Sequence, residues 1–204
     1  MVKKRIAVLA SGRGSNFLAL AQEAQNADFP GEIVVLISDV SDAPALAYAA
    51  QFGIEALWLD PGLKKTFLTP DVESRWIEEL RRRKVDLICL AGFMRVLKPA
   101  MLAEFRGRIL NIHPSLLPSF PGLDAQQQAF DHGCKVAGCT VHFVDDSLDG
   151  GPIIVQRCVP VLEGDNAESL AERILEEEHK AYPLVVRLWC EGRLQIAGRR
   201  VIIT

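Results

Sequence analysis

An amide, an imidazole and a carboxylate occur in two short motifs that could act together in a group-transfer reaction. Asn111 and His113 belong to the segment Asn-Ile-His-Pro-Ser, and Asp149 belongs to the segment Leu-Asp-Gly-Gly. Side chains two residues apart in a strand point to the same face, so we expect Asn111 and His113 to face one cavity. An amide and a protonated imidazole can stabilise a developing oxyanion, and a carboxylate can support the imidazolium or proton transfer. The two motifs therefore predict acyl-type transfer without a covalent enzyme intermediate.

The elements around these residues should bring them together. Pro114 favours an extended backbone at His113, which places the imidazole at the carboxyl end of a strand, where open parallel sheets bind ligands. Asp149 is too distant from His113 in the sequence for a local contact. A second strand and the turn after it must therefore bring the Asp149 carboxylate back to the histidine. Taken singly, His113 could be a structural histidine and Asp149 an ordinary turn residue. Their occurrence together with Asn111 favours a catalytic site.

A glycine-rich segment, Ser11–Asn16, lies between the first apolar run and the first predicted helix. Backbone N–H groups and the helix dipole form an anion site at such a position, so we expect a phosphate there. Ser15 or Asn16 is expected to cap the helix. The segment is not a dinucleotide fingerprint, because Phe17 stands where the third glycine would fall. A tight turn without a ligand remains the alternative.

Composition limits the class of protein. The 204 residues are 49% hydrophobic, which is enough for one substantial core, and we expect a single domain, residues 1–204. A net charge of −3 argues against a nucleic-acid or anionic-membrane partner. No apolar run approaches membrane-spanning length, and Gly12-Arg13-Gly14 interrupts the N-terminal run too early for a signal peptide. We expect a cytoplasmic protein with a small-molecule ligand.

The cysteines and histidines are considered as possible nucleophiles and metal ligands. Five cysteines without a Cys-x-x-Cys pair predict reduced, mostly buried thiols. Cys139 with His142 as its base is the alternative nucleophile. The four histidines show no metal-ligand spacing, so no metal is expected.

Five short apolar runs predict buried strands, and the stretches between them suit helices. This alternation is typical of a parallel sheet covered on both faces, so we expect an α/β fold with a mostly parallel, twisted sheet. The predicted strands are Ile6–Ala10, Ile33–Ile37, Ala56–Leu59, Leu87–Leu90 and Ile109–Ile112, and the predicted helices are Asn16–Ala27, Pro44–Gln51 and Asp71–Arg83.

The last third of the chain has a different pattern. Val141–Val144 and Ile153–Val159 predict two strands that are antiparallel to each other. Asn166–Trp189 predicts a long closing helix, bent or interrupted at Pro183. The tail, Leu194–Ile203, predicts a small hairpin around Gly198.

Five segments carry a resemblance to a known family: Ser11–Asn16, Ala91–Leu97, Gly107–Gly122, Val141–Ile154 and Glu177–Leu184. On these motifs the sequence resembles the folate-dependent phosphoribosylglycinamide formyltransferases over nearly its full length. The resemblance implies a Rossmann-like formyltransferase fold with antiparallel C-terminal strands. It also implies transfer of a formyl group from 10-formyltetrahydrofolate to the amine of phosphoribosylglycinamide in purine synthesis, by a monomer or homodimer.

The resemblance also assigns residues. It implies a phosphate-binding half, residues 1–100, and a catalytic and folate-loop half, residues 101–204. By resemblance, the catalytic residues are Asn111, His113 and Asp149, the substrate-binding residues are Gly14, Ser15, Asn16 and Glu178, and the folate-binding residues are Met94, Arg95, Val96, Leu97 and Asn111. Without the resemblance, Arg95 would be interpreted as a solvated arginine and Glu178 as a helix-surface acid. The resemblance also suggests a tight turn with a cis Leu117–Pro118 bond.

Three departures from the family pattern affect ligand contacts. An arginine that commonly reaches the folate has no clear counterpart, and Lys64 or Lys65 could substitute for it. Asp124 and Gln126 stand where relatives often have histidines, and Arg13 replaces a common asparagine. Two other functions stay open: a formyltetrahydrofolate deformylase, which would use water as the acceptor, and a non-catalytic nucleotide- or folate-binding module.

Overall fold

The computed structural model describes residues 2–204, which divide into two units, the first ending at Leu110 and the second running from Asn111 to Thr204. The boundary lies inside strand β5 (Ile109–His113), immediately before the Asn-Ile-His motif. The interpretation of the chain as a single functional domain stays a prediction.

The first unit contains a parallel sheet. Its strands have the order β3-β2-β1-β4, and each neighbouring pair is parallel. Most apolar residues of β1, β2 and β4 are buried, as expected for strands that are covered on both faces. The elements are β1 (Lys4–Leu9), α1 (Ser15–Ala24), β2 (Gly31–Ser38), α2 (Pro44–Gln51), β3 (Glu55–Trp58), α3 (Pro70–Arg82), β4 (Leu87–Leu90) and α4 (Pro99–Glu104).

The strand order reverses between β1 and β4. Ligands of open α/β sheets bind beyond the carboxyl ends of the strands at such a reversal. The loops after β1 and β4 contact each other there, since the Ser11 N–H donates to the Gly92 carbonyl at 3.1 Å. The fold thus brings the glycine-rich segment beside the Ala91–Leu97 segment.

The second unit contains the antiparallel strands. The strand order is β5-β6-β7-β9-β8, with β6 and β7 antiparallel, β8 and β9 antiparallel, and β7 parallel to β9. The register of β6 and β7 shifts between Val141 and His142, next to the loop that carries Asp149. The elements are α5 (Ala125–Asp131), β6 (Val136–Phe143), β7 (Ile153–Pro160), α6 (Ala167–Cys190), β8 (Leu194–Ala197) and β9 (Arg200–Ile203).

The predicted fold class is confirmed, with differences in detail. Helices α4 and α5 were not predicted, because six or seven residues are too few to show a helical period. Strand β6 begins at Val136 rather than Val141. Helix α6 runs through Pro183 without interruption, because its packing against β6 and β7 outweighs one lost hydrogen bond. The Leu117–Pro118 bond is cis, as predicted. Among the helices of residues 2–204, none combines the length with the apolar character that a membrane span requires.

Candidate active site

Asn111, His113 and Asp149 lie together in the second unit. Strand β5 presents the first two on one face at its carboxyl end, and Asp149 lies in the loop between β6 and β7. His113 Nδ1 is 3.5 Å from Asp149 Oδ2, and Asn111 Nδ2 is 3.5 Å from Asp149 Oδ1. The predicted proximity is confirmed. The catalytic roles stay a prediction.

A backbone N–H group holds the Asp149 carboxylate in place. The Gly122 N–H donates to Asp149 Oδ2 at 2.8 Å, which links the turn after β5 to the loop after β6. The following glycines permit a close backbone approach: a Cβ at Gly151 would lie only 1.9 Å from the Phe143 carbonyl oxygen. The Leu-Asp-Gly-Gly motif therefore fits a loop that passes directly over the end of β6.

The His113 ring has a defined hydrogen position. Its Nε2 lies 2.9 Å from the Phe120 carbonyl oxygen, which can only accept, so Nε2 carries a hydrogen. Nδ1 therefore faces Asp149, and it is the nitrogen that can take up a proton. The His113 side chain is almost entirely buried, and the Asp149 carboxylate lies beside its Nδ1.

His142 also belongs to this cluster, although the sequence indicated only a possible base for Cys139. Its Nε2 lies 3.2 Å from Asn111 Nδ2 and 3.8 Å from Asp149 Oδ1. Burial lowers the pKa of His142 and so favours the neutral ring. The sequence contained a signal that could have identified His142. Thr140 and His142 are polar residues that share one face of an otherwise apolar strand.

Cys139 is not suited to be a nucleophile. It is fully buried, and this burial raises the pKa of its thiol to about 12. The nearby Glu178 charge also raises it. The thiolate needed for attack is therefore disfavoured near neutral pH.

The glycine-rich segment forms the start of α1 in the first unit. The N-cap is Gly14, with φ 79°, and no side chain caps the helix, so the expectation that Ser15 or Asn16 would cap it was wrong. A Cβ at Gly14 would lie 2.6 Å from Ala45 Cβ, and the backbone conformation itself favours glycine. The helix start keeps the geometry of an anion site, with Ser15 and Asn16 in the first turn.

The segment Met94–Leu97 is held by a buried ion pair. Asp39 Oδ2 accepts from Arg95 Nε at 2.6 Å, and Asp39 Oδ1 accepts from Ser11 Oγ at 2.6 Å. Ser11 Oγ in turn accepts from the Met94 N–H at 2.9 Å. Arg95 is therefore not the solvated arginine that its sequence context alone favoured. It joins the loop after β4 to the end of β2.

Two further residues of Met94–Leu97 differ in exposure. Val96 is 46% exposed and donates its N–H to the Thr66 carbonyl at 2.9 Å, while Leu97 is buried. Met94 is 58% exposed, so the segment offers apolar surface beside fixed backbone groups.

Glu178 lies on α6 with its side chain buried, which excludes the interpretation of this residue as a helix-surface acid. Its contact with a substrate stays a prediction.

The fold and the cluster are those of an α/β protein that could transfer a small group through an Asn-His-Asp site. The formyl transferase family model matches residues 4–186, so the chain belongs to the formyl transferase family.

Relatives and solved structures agree with this family. The chain is 42% identical to the phosphoribosylglycinamide formyltransferase of Bacillus subtilis, over 90% of this chain and 93% of the relative. It is 43% identical to the trifunctional purine biosynthetic protein adenosine-3 of Drosophila melanogaster, over 96% of this chain but only 14% of that protein. The crystal structure of glycinamide ribonucleotide transformylase 1 from Symbiobacterium toebii matches with a TM-score of 0.94 and 51% identity, over 98% of this chain and 94% of that one.

Proposed function

We propose that the protein transfers the formyl group of 10-formyltetrahydrofolate to the amine of phosphoribosylglycinamide. The observation that supports this most directly is that Asn111 Nδ2 and His113 Nδ1 each lie 3.5 Å from an oxygen of the Asp149 carboxylate. The products would be formylglycinamide ribonucleotide and tetrahydrofolate, a step of purine synthesis. We expect the reaction to take place in the cytoplasm.

In the proposed reaction, the substrate amine attacks the formyl carbon and negative charge builds up on the formyl oxygen. The Asn111 amide and the protonated Nδ1 of His113 are the donors that stabilise this charge. The amine must lose a proton and the folate nitrogen must gain one before the C–N bond to the folate breaks. Asp149 supports the charged imidazole and could hold a water that carries the proton between them.

The phosphate and folate assignments lie in the first unit, and the Glu178 assignment lies on α6. The start of α1, with Gly14, Ser15 and Asn16, would hold the substrate phosphate. Met94–Leu97 would hold the folate, and the fixed N–H groups of Met94 and Val96 leave backbone carbonyls and apolar side chains for this contact. Glu178 would contact the glycinamide substrate.

A single assay separates this function from its alternatives. Purified protein is incubated with 10-formyltetrahydrofolate, with and without phosphoribosylglycinamide, and formyl-folate consumption is followed by absorbance. A formyltransferase consumes the folate only when phosphoribosylglycinamide is present. Equal consumption without it would identify a deformylase, and no consumption in either case would support a binding module. The variant His113→Asn serves as a control for contaminating activity.

A further inference from the structure

We propose that His142 is a positioning residue that sets the orientation of the Asn111 amide, so that an N–H group rather than the carbonyl faces the reacting formyl oxygen. This inference rests on the proposed function. It adds a role for a residue that neither the sequence motifs nor the resemblance assigned.

The hydrogen positions of His142 follow from its neighbours. Nδ1 lies 2.9 Å from the Phe143 carbonyl oxygen, which can only accept a hydrogen bond, so Nδ1 carries the hydrogen. In a neutral ring, Nε2 then has a lone pair. Asn111 Nδ2 lies 3.2 Å from this atom, so the amide donates one of its two hydrogens to His142.

The reversed amide is disfavoured on the same grounds. Turning Asn111 over would place its carbonyl oxygen beside the lone pair of His142 Nε2 and beside the Asp149 carboxylate. Three acceptors would then face one another without a hydrogen between them, in a buried setting where an unmade hydrogen bond is unfavourable. His142 and Asp149 together therefore select the observed orientation.

His142 accepts the hydrogen bond from Asn111 only while its ring is neutral. The ring is almost entirely buried, and burial disfavours its charged form. The hydrogen bond to the Phe143 carbonyl and the carboxylates of Asp149 and Asp145 raise the pKa of His142, but burial, the largest cause, and His113 lower it, and the net shift is downward. The Phe143 carbonyl leaves only Nε2 to gain a proton, and that proton would displace the Asn111 hydrogen.

The second Asn111 hydrogen is the one that could serve the reaction. It points toward Asp149 Oδ1. The distance from Asn111 Nδ2 to this oxygen is 3.5 Å, the outer limit of a hydrogen bond. An incoming formyl oxygen could take over this weakly held hydrogen while His142 keeps the first one in place. His142 thus prepares the donor before the charge develops, which is how fixed donors lower a barrier.

Nitrogen NMR of histidine tests the tautomer without any assay of activity. The protein is labelled with ¹⁵N-histidine, and the His142 signals are identified by their loss in His142→Gln. We expect a neutral ring near pH 7, with hydrogen on Nδ1 and a bare Nε2. A charged ring, or a neutral ring with hydrogen on Nε2, would overturn the proposal. The proposed function would survive that result.

Kinetics of two variants test the consequence. Gln can place an acceptor oxygen near the Nε2 position, whereas Leu cannot. We expect His142→Leu to lower kcat about 10²-fold, as a misplaced reacting group can, with little change in either KM. His142→Gln should recover most of the lost kcat. The variant His132→Gln, at an exposed histidine, controls for the substitution itself.

Thermal unfolding of both variants shows whether the effect is merely structural. A kcat in His142→Leu that matches wild type, or a Gln variant as slow as the Leu variant at equal folded fraction, would contradict the positioning role. If wild type itself shows no transfer of formyl to phosphoribosylglycinamide, the proposed function fails, and the NMR result still decides the orientation.

Discussion

The Gly122 N–H donates a 2.8 Å hydrogen bond to Asp149 Oδ2, the same oxygen that lies 3.5 Å from His113 Nδ1. One carboxylate oxygen thus anchors the loop after β6 to the turn after β5 and also faces the imidazole. The Phe120 carbonyl, from the same turn, fixes the other nitrogen of that ring. The turn after β5 therefore aligns both catalytic candidates.

Asp149→Asn should separate this anchoring role from the chemistry. The Asn carbonyl can still accept from Gly122, so we expect the fold and both KM values to be nearly unchanged. The negative charge beside His113 is lost, and kcat should fall about 10² to 10⁴-fold, the range for general acid–base groups. Steady-state kinetics with both substrates, alongside thermal unfolding, would show it. Turnover close to wild type would remove Asp149 from the mechanism.

Strand alternation was enough to predict part of this site. Asn111 and His113 are two residues apart in β5, and their shared face follows from local geometry. The glycines after Asp149 indicated a turn, and the loop does return the carboxylate to His113. By contrast, the Asn111–His142 contact joins side chains from two strands 31 residues apart, and no local pattern encodes such a pair.

The buried ion pair of Asp39 and Arg95 shows the same limit. The two residues are 56 positions apart, and each lies in a loop that follows a strand. Strands β2 and β4 each pair with β1, one on either side, and this arrangement brings Asp39 and Arg95 together. Sequence could thus predict the sheet but not the electrostatic contact across its edge.

Asp39→Ala should loosen the Met94–Leu97 segment. Removing one partner of a buried ion pair leaves an uncompensated charge and costs about 3 to 5 kcal/mol. We expect this loss of unfolding free energy in urea, and a higher KM for the formyl-folate. Glu32→Ala, which breaks the exposed pair with Arg5, is the matched control and should cost about 1 kcal/mol or less. Equal losses in the two variants would argue against a special role for Asp39.

Gly14→Ala should weaken phosphate binding. The added Cβ would lie 2.6 Å from Ala45 Cβ and 2.8 Å from Ala45 Cα, so the start of α1 must shift. We expect the KM for phosphoribosylglycinamide to rise far more than the KM for the folate. Gly164→Ala, where a Cβ meets nothing within 4 Å, is the control for a glycine substitution. Parallel increases in both KM values would count against a phosphate site at this helix start.

Cys139 should be inert toward thiol reagents in the folded protein. Burial raises the pKa of its thiol to about 12, whereas Cys158 is exposed on β7. Limited iodoacetamide treatment followed by mass mapping should therefore label Cys158 and leave Cys139 unmodified. Cys139→Ala should keep the wild-type kcat. A large loss of turnover in Cys139→Ala at unchanged stability would instead support Cys139 as a nucleophile.

The pH dependence of stability should reveal the ion pair between Asp165, just before α6, and Arg173, inside it. Asp165 accepts from Arg173 Nη1 at 2.6 Å and Nη2 at 2.7 Å, and from the Leu162 N–H at 2.7 Å. The Arg173 hydrogen bonds, together with the Leu162 N–H, hold the pKa of Asp165 well below its ordinary value of 3.8. A lowered pKa in the folded state means that the ionised carboxylate stabilises the fold. That contribution is complete above pH 3.8 and declines as the pH falls below it.

Comparison of wild type with Asp165→Asn isolates this contribution. The difference in unfolding free energy, measured in urea, should be constant from pH 7 to about pH 5 and should shrink below pH 4, since protonation then removes the same charge from wild type. In an Arg173→Leu background the Asp165→Asn substitution should produce a smaller difference with a weaker pH dependence, because the main cause of the shift is absent. A difference that grows on acidification would mean that the pKa of Asp165 is raised in the folded state, and the ion pair would not be its controlling contact.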